Sequence, residues 1–239
     1  KNAVLGKLLI VDSQKQFDQG LTLTNKVLAK RPDAQLTLLK AYFHSRLGQA
    51  KPAWEIINST ADDVKALPFV RGVIARLHLI DKAPEQAVEH AQAAYDATPN
   101  SDNALLLIAA LEMSGKKAQA FTFLEKHVQA HSNDIPSAML LAERQIGKGR
   151  AAAIKTYEQV LTKTPDNFVV LNNLAYLALE DKNLTRAEEL AKKAVSLQRE
   201  NADAVDTLAQ IYVAKGDKAA ALKLYEEVSA RPIANDDVY

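Results

Sequence analysis

The sequence predicts an all-α fold, an α-solenoid of about seven helix-turn-helix repeats, and three observations carry that prediction. Leu, Ala, Lys, Glu and Gln dominate, all good helix formers, against only 8 Gly and 8 Pro in 239 residues. Small residues recur on one spacing: Gly20, Ala53, Ala87, Ala120, Ala153, Ala187 and Ala221 are separated by 33, 34, 33, 33, 34 and 34 residues. Turn and break residues keep the same period, while β-branched runs stay short. Self-similarity at such a period marks stacked supersecondary units, and the chain is close to seven periods long.

The units start near residues 1, 34, 68, 101, 134, 168 and 202, so that 1–232 is solenoid and 233–239 a C-terminal tail. Each reads as two amphipathic helices of about 12–15 residues, a tight turn, and a Pro, Asn or Asp break. In the first, Gly20 holds the alanine position and Pro32 stops the chain. The second turns at "RLGQAKPA" before Ala53 and has Ala66 near where its closing proline would fall. The third carries Ala87 and ends at Pro99; the fourth turns at "MSGKKAQA" before Ala120. The fifth turns at "GKGRAAA" before Ala153 and ends at Pro165. The sixth pairs Leu174-Ala175 ahead of Ala187, and the seventh pairs Leu208-Ala209 ahead of "AKGDKAAA", closing near Pro232.

The alanines have a physical cause. A hairpin this short cannot bury its apolar face alone, but stacked neighbours build one continuous core. Where helices cross closely, small residues let the backbones approach, and larger ones such as Leu107, Ile154, Tyr157, Leu174, Tyr212 and Tyr225 fill the grooves beside them.

The pattern resembles the tetratricopeptide repeat, a 34-residue helix-turn-helix unit. The seventh unit matches its signature best, at Leu208, Ala209, Tyr212, Gly216, Ala221, Tyr225 and Pro232. The sixth matches at Leu174, Ala175, Ala187 and Ala194 but has Arg199 where Pro is usual; the first two match least. The resemblance implies a right-handed superhelix whose first helices line a concave, partner-binding surface. A narrower likeness sits in "TPDNFVVLNNLAYL" and "NADAVDTLAQIYVAKGD", which resemble the closing repeats of large bacterial lipoproteins of exopolysaccharide and PEP-CTERM/exosortase sorting systems. That likeness implies a periplasmic, envelope-anchored protein; without it the expectation is cytoplasmic. The chain starts at Lys1 without a signal-peptide pattern, which predicts an excised or processed part of something longer.

Composition excludes several functions. Lys+Arg total 30 and Asp+Glu 29, so no global field would draw the protein to nucleic acid. Residues 1–60 hold 9 basic and 4 acidic side chains, a balance of +5, and 188–239 hold 7 and 10, a balance of −3. The basic residues are scattered, without aromatic interleaving, so no nucleic-acid partner is expected. The absence of cysteine removes thiolate chemistry and disulfides, and no apolar run is long enough for membrane insertion by this segment.

Candidate chemistry reads as structure. The Lys215-Gly216-Asp217-Lys218 turn has one glycine and helix on both sides, unlike a phosphate-binding loop, so Gly216 serves a left-handed corner and Asp217 a helix cap. His127 and His131 stand four apart, a spacing that could hold a metal, but without a third ligand they read as a solvated helix face. His44 and His78, equivalent in adjacent units, read as half-buried and hydrogen-bonded. Glu188-Glu189 and Glu226-Glu227 read as outer-face charge. No catalytic residue, cofactor or metal is expected, and the protein is expected not to be an enzyme.

The carboxylate clamp of some tetratricopeptide domains can be tested by position. Asn173 stands at its middle Asn, but Ala138, Ala142, Asp203 and Thr207 occupy the other four places, so chaperone-tail binding there is not expected. The register of the resemblance instead assigns partner contact on the concave face to Tyr42, Arg46, Arg76, Glu112, Met113, Asn172, Tyr176, Glu180, Asp206 and Gln210. The expected function is a non-catalytic scaffold or adaptor binding a protein or peptide; the alternative is a regulatory or substrate-recruiting module of a larger polysaccharide-handling enzyme or secretion machine. Leu222, Leu224, Tyr225 and Val228 should be partly exposed at the last unit unless Ile233, Val238 and Tyr239 fold back, so that end is expected to be covered by the tail or by end-to-end self-association.

Overall fold

A computed structural model of the chain describes residues 2–229, and among them there are fifteen helices and no strand. Two compact units are present, Lys1–Ala130 and His131–Tyr239. Unit 1 contains the hairpins α1 (Asn2–Ser13) with α2 (Phe17–Leu28), α3 (Ala34–Arg46) with α4 (Ala50–Asn58), α6 (Pro68–Ile80) with α7 (Pro84–Ala97), and α8 (Ser101–Met113) with α9 (Lys117–Ala130). A four-residue helix α5 (Asp62–Lys65) separates the second hairpin from the third, where the sequence shows Ala66 in place of a proline break. Unit 2 pairs α10 (Ile135–Ile146) with α11 (Arg150–Lys163), α12 (Phe168–Glu180) with α13 (Leu184–Leu197), and α14 (Ala202–Ala214) with α15 (Lys218–Ser229). The sequence positions Pro232, Ile233, Val238 and Tyr239, and the side chain of Val228, lie outside the described residues.

The repeat period is written into the helix ends. Asp33, Asn100, Asp134, Asn167 and Asn201 each cap the first helix of a hairpin, accepting from a backbone N–H three residues on at 2.9–3.2 Å. Leu67 occupies the equivalent place before α6, and there Pro68 starts the helix instead. The corner between paired helices is left-handed at Lys15, Gly48, Lys82, Gly115, Lys182 and Gly216. At the last of these, the Asp217 N–H reaches back to the Tyr212 carbonyl (2.9 Å) and Asp217 Oδ1 caps α15 through Ala220 N–H (3.0 Å).

The small residues do bury the crossings. Ala53, Ala87, Ala153 and Ala187 are fully enclosed, and Ala120 and Ala221 nearly so. Gly20 is stricter than alanine for a local reason: a Cβ there would lie 2.4–2.8 Å from the Phe43 ring, which is itself buried. In unit 1 this crossing joins a core of Leu8, Leu36 and Phe43, and a second core gathers Ala41, Ile57, Val70, Val73 and Leu77. In unit 2 the core runs from Leu171 and Ala194 through Ala175, Ala187, Leu208 and Ile211.

Two expectations about histidine are corrected. His127 is not on a solvated face: it is buried, its Nδ1 2.8 Å from the Tyr95 hydroxyl, with Phe123 stacked on it. The neighbouring hairpin covers that side of α9, which the spacing of His127 and His131 alone could not show. His44 is buried and hydrogen-bonded to Gln49 (2.6 Å), whereas the His78 ring packs between Trp54 (5.2 Å) and His90 (5.6 Å) with no side-chain hydrogen bond among the described residues.

Candidate functional site

In unit 1 the first helices of successive hairpins share one face, and they enclose a groove of about 500 Å³. Its walls are apolar, with Leu5 and Leu9 from α1, Leu39 from α3, Phe69 from α6 and Leu106 from α8. Helical period explains the assembly: α1, α3 and α6 turn one stripe into the core and leave the adjacent stripe, where Leu9 and Phe69 are 71% and 44% exposed, on the groove.

A polar network crosses this groove. The Tyr42 hydroxyl donates to Asp12 Oδ1 at 2.6 Å. Arg46 Nη1 donates to the Tyr42 oxygen at 3.0 Å and to Asp102 Oδ2 at 3.2 Å, while its guanidinium lies 4.3 Å from the Phe17 ring centre. The Tyr42 ring also contacts Phe69 at 5.6 Å. Burial, then the hydrogen bond to Asp12, hold the Tyr42 hydroxyl protonated far above its ordinary range. Arg76 lines the same groove and is largely buried, without a hydrogen-bond or ion-pair partner among the described residues. Desolvation, then the nearby Arg46 charge, lower its pKa from the usual value, against the opposing pull of Tyr42, Asp102 and Asp12.

Three of the residues expected on the binding face, Tyr42, Arg46 and Arg76, are therefore brought together. Asp12, Phe69 and Asp102 belong to the same site and were missed, although each stands at a second or twelfth position of its repeat and the register could have found them. Glu112 and Met113 lie at the end of α8 outside the groove lining; Met113 is exposed, and Glu112 is half-buried and not free.

In unit 2 the expected residues fall on α12 and α14 without a shared cluster. Tyr176 is 48% exposed, and Asn172, one turn earlier, has its Oδ1 buried without a hydrogen-bond partner. Asn173 donates to the Tyr157 hydroxyl at 3.0 Å and so is tied into the hairpin. Glu180 forms an ion pair with Arg150 at 3.3 Å, beside Asp181 at the same distance. Asp206 accepts from Gln210 Nε2 (2.6 Å) and from the Tyr225 hydroxyl (2.7 Å), which ties α14 to α15. Among the described residues there is no cluster of three His, Asp or Glu side chains able to hold a metal, and no helix long and apolar enough to cross a membrane.

Capped helix hairpins on a 33–34-residue period, with a groove on the first-helix face, define a helical-repeat protein. Family models of the tetratricopeptide repeat match residues 138–205 and 202–230. No curated protein sequence matches the chain. Solved structures share the fold. MamA 41-end from Desulfovibrio magneticus RS-1 is 19% identical with a TM-score of 0.58, over 68% of this chain and 93% of that one. YrrB, described as a tetratricopeptide protein with an unusual peptide-binding site, is 16% identical with a TM-score of 0.54, over 77% and 96%. The Cut9–Hcn1 hetero-tetramer of the APC/C aligns over 94% of this chain and 45% of the other, at 14% identity and a TM-score of 0.58.

Proposed function

We propose that the protein is a non-catalytic scaffold that holds segments of partner proteins against the first-helix faces of its repeats. The observation that carries this is the unit 1 groove: apolar walls beside a short set of fixed polar groups are what segment recognition needs. Tyr42, Arg46 and Arg76 contact the partner there, and Tyr176 with Asn172 contributes from unit 2. YrrB's described peptide-binding site supports the same use of the fold. The bacterial-envelope setting belongs to this proposal and draws on the lipoprotein likeness of residues 164–177 and 201–217. So does end-to-end self-association through the last hairpin, where Leu222, Val213 and Tyr225 are 60%, 50% and 41% exposed.

The test is photocrosslinking in the native host, with a benzophenone amino acid placed at Phe69 or Tyr176 on the proposed faces, and at Gln92 or Gln159 on exposed second-helix positions. Partner adducts should form from the first two positions and not from the last two. Adducts confined to Gln92 and Gln159 would overturn the assignment of the binding face.

A further inference from the structure

Arg76 is the one charged group of the unit 1 groove, among the described residues, that the fold leaves without an answering acceptor. Arg46 has Asp102 and Tyr42, and Asp12 has the Tyr42 hydroxyl. Arg76 has neither, though it is largely buried and lines the cavity. A guanidinium carries five N–H donors in a fixed fork, and buried donors without acceptors lose hydration with nothing gained in return. Arg76 is not fully buried, so water can answer it until a ligand supplies a carboxylate that fits its fork.

We propose that this groove binds an extended, internal segment of a partner protein through a single acidic side chain set among apolar residues, its carboxylate docking on Arg76. This rests on the scaffold reading above and adds the partner's chemistry to it. Three features of the groove select that occupant. The walls at Leu5, Leu9, Leu39, Phe69 and Leu106 call for apolar neighbours around the acid. Counting Arg46, the ion-pair partner of the groove's Asp102, the formal charges of Arg46, Arg76, Asp12 and Asp102 cancel, so an acid-rich tract gains no net attraction while one carboxylate against Arg76 does. Asp12 lines the same groove and keeps acceptor capacity for backbone N–H groups on either side of the acid, whereas a C-terminal carboxylate has chain on one side only.

The site is distinct from the carboxylate clamp of tetratricopeptide domains. In the first three repeats the five clamp positions are Leu5, Leu9, Leu39, Phe69 and Val73, all apolar. Here the clamp's places form the walls, and the cation comes from a different turn of α6.

The experiment pans the full chain against two displayed libraries of random nonapeptides, one embedded between constant flanks and one with free C-termini. From the embedded library the wild type should select peptides with one Glu or Asp between apolar residues. For a selected peptide, Arg76→Gln should weaken binding about tenfold or more, Glu→Gln in the peptide should do the same, and the two losses should not add. Phe69→Ala, at an exposed wall position, should weaken binding without changing the preference for acid. Arg76→Gln should leave the unliganded protein as heat-stable as wild type or more so, since it removes a desolvated charge. Selected peptides that lack an acid, or that bind Arg76→Gln equally well, would overturn this inference and leave the scaffold reading standing. A preference for free C-termini would also overturn it. No selection from either library would overturn both.

Discussion

Gly20 shows how one residue can be fixed by its neighbour and not by its own helix. In an isolated helix, alanine would be favoured there by about 1 kcal/mol. The Phe43 ring reverses that preference, because a Cβ would meet it at 2.4–2.8 Å in a buried contact. Gly20→Ala should therefore destabilise by roughly 1–3 kcal/mol, read as a lower thermal midpoint, and Phe43→Leu should relieve most of the difference. Equal stability of Gly20→Ala and wild type would show that the ring moves freely. From the sequence, Gly20 is legible as one tick of the period, but why glycine stands there is not, since Phe43 lies in the next hairpin. The same holds at the unit 1 groove. Register picks out Tyr42, Arg46 and Arg76, while the Asp12 and Asp102 that answer two of them come from other repeats. Register also offers Asp206, Gln210 and Glu180 as partner contacts, yet each has a partner within the fold.

At the scale of elements, hairpins are set locally and their contacts are not. Asx caps open five of the hairpins and left-handed corners turn six of them, and both can be read from residue type and position. Their packing creates environments that no helix has alone. Trp54 of α4 meets His78 of α6 edge-on, His78 stacks on His90 of α7 with the imidazoles 5.6 Å apart, and His90 Nδ1 is buried without a hydrogen-bond partner among the described residues. Burial lowers the pKa of both histidines from 6.5; Arg71 and His78 lower that of His90 further, and Asp81 and Glu89 pull the other way. The folded state thus favours neutral imidazoles, and the unfolded chain binds more protons once pH falls below about 6.5. Stability is full above that pH and is lost as pH drops below it toward the folded values. The thermal midpoint at pH 5 should be lower than at pH 7.5, and His78→Phe with His90→Leu should flatten the difference. An unchanged pH response in the double variant would place the acid sensitivity elsewhere.

At the scale of the whole molecule, the outer residues of the last described hairpin are exposed. Leu222 is 60% exposed and Tyr225 41%, although Tyr225 keeps its bond to Asp206. If copies associate there, sedimentation velocity should show a concentration-dependent larger species for the wild type, lost in Leu222→Lys. A wild type that stays monomeric across the concentration range would remove self-association through this end.

What the sequence determined by itself was the repeat: its period, caps, corners and small crossings depend on residues a few places apart along one chain segment. The tertiary structure decided which side chains meet. It set Phe43 against Gly20, buried His127 under Tyr95, gathered Asp12, Tyr42, Arg76 and Asp102 around one groove, and tied Arg46 to two of them. The physical reason is distance along the chain. Helix ends and turns are satisfied by hydrogen bonds spanning three to five residues, whereas burial, ion pairing and the unanswered charge of Arg76 depend on residues some 20 to 60 places apart that only stacking brings within reach.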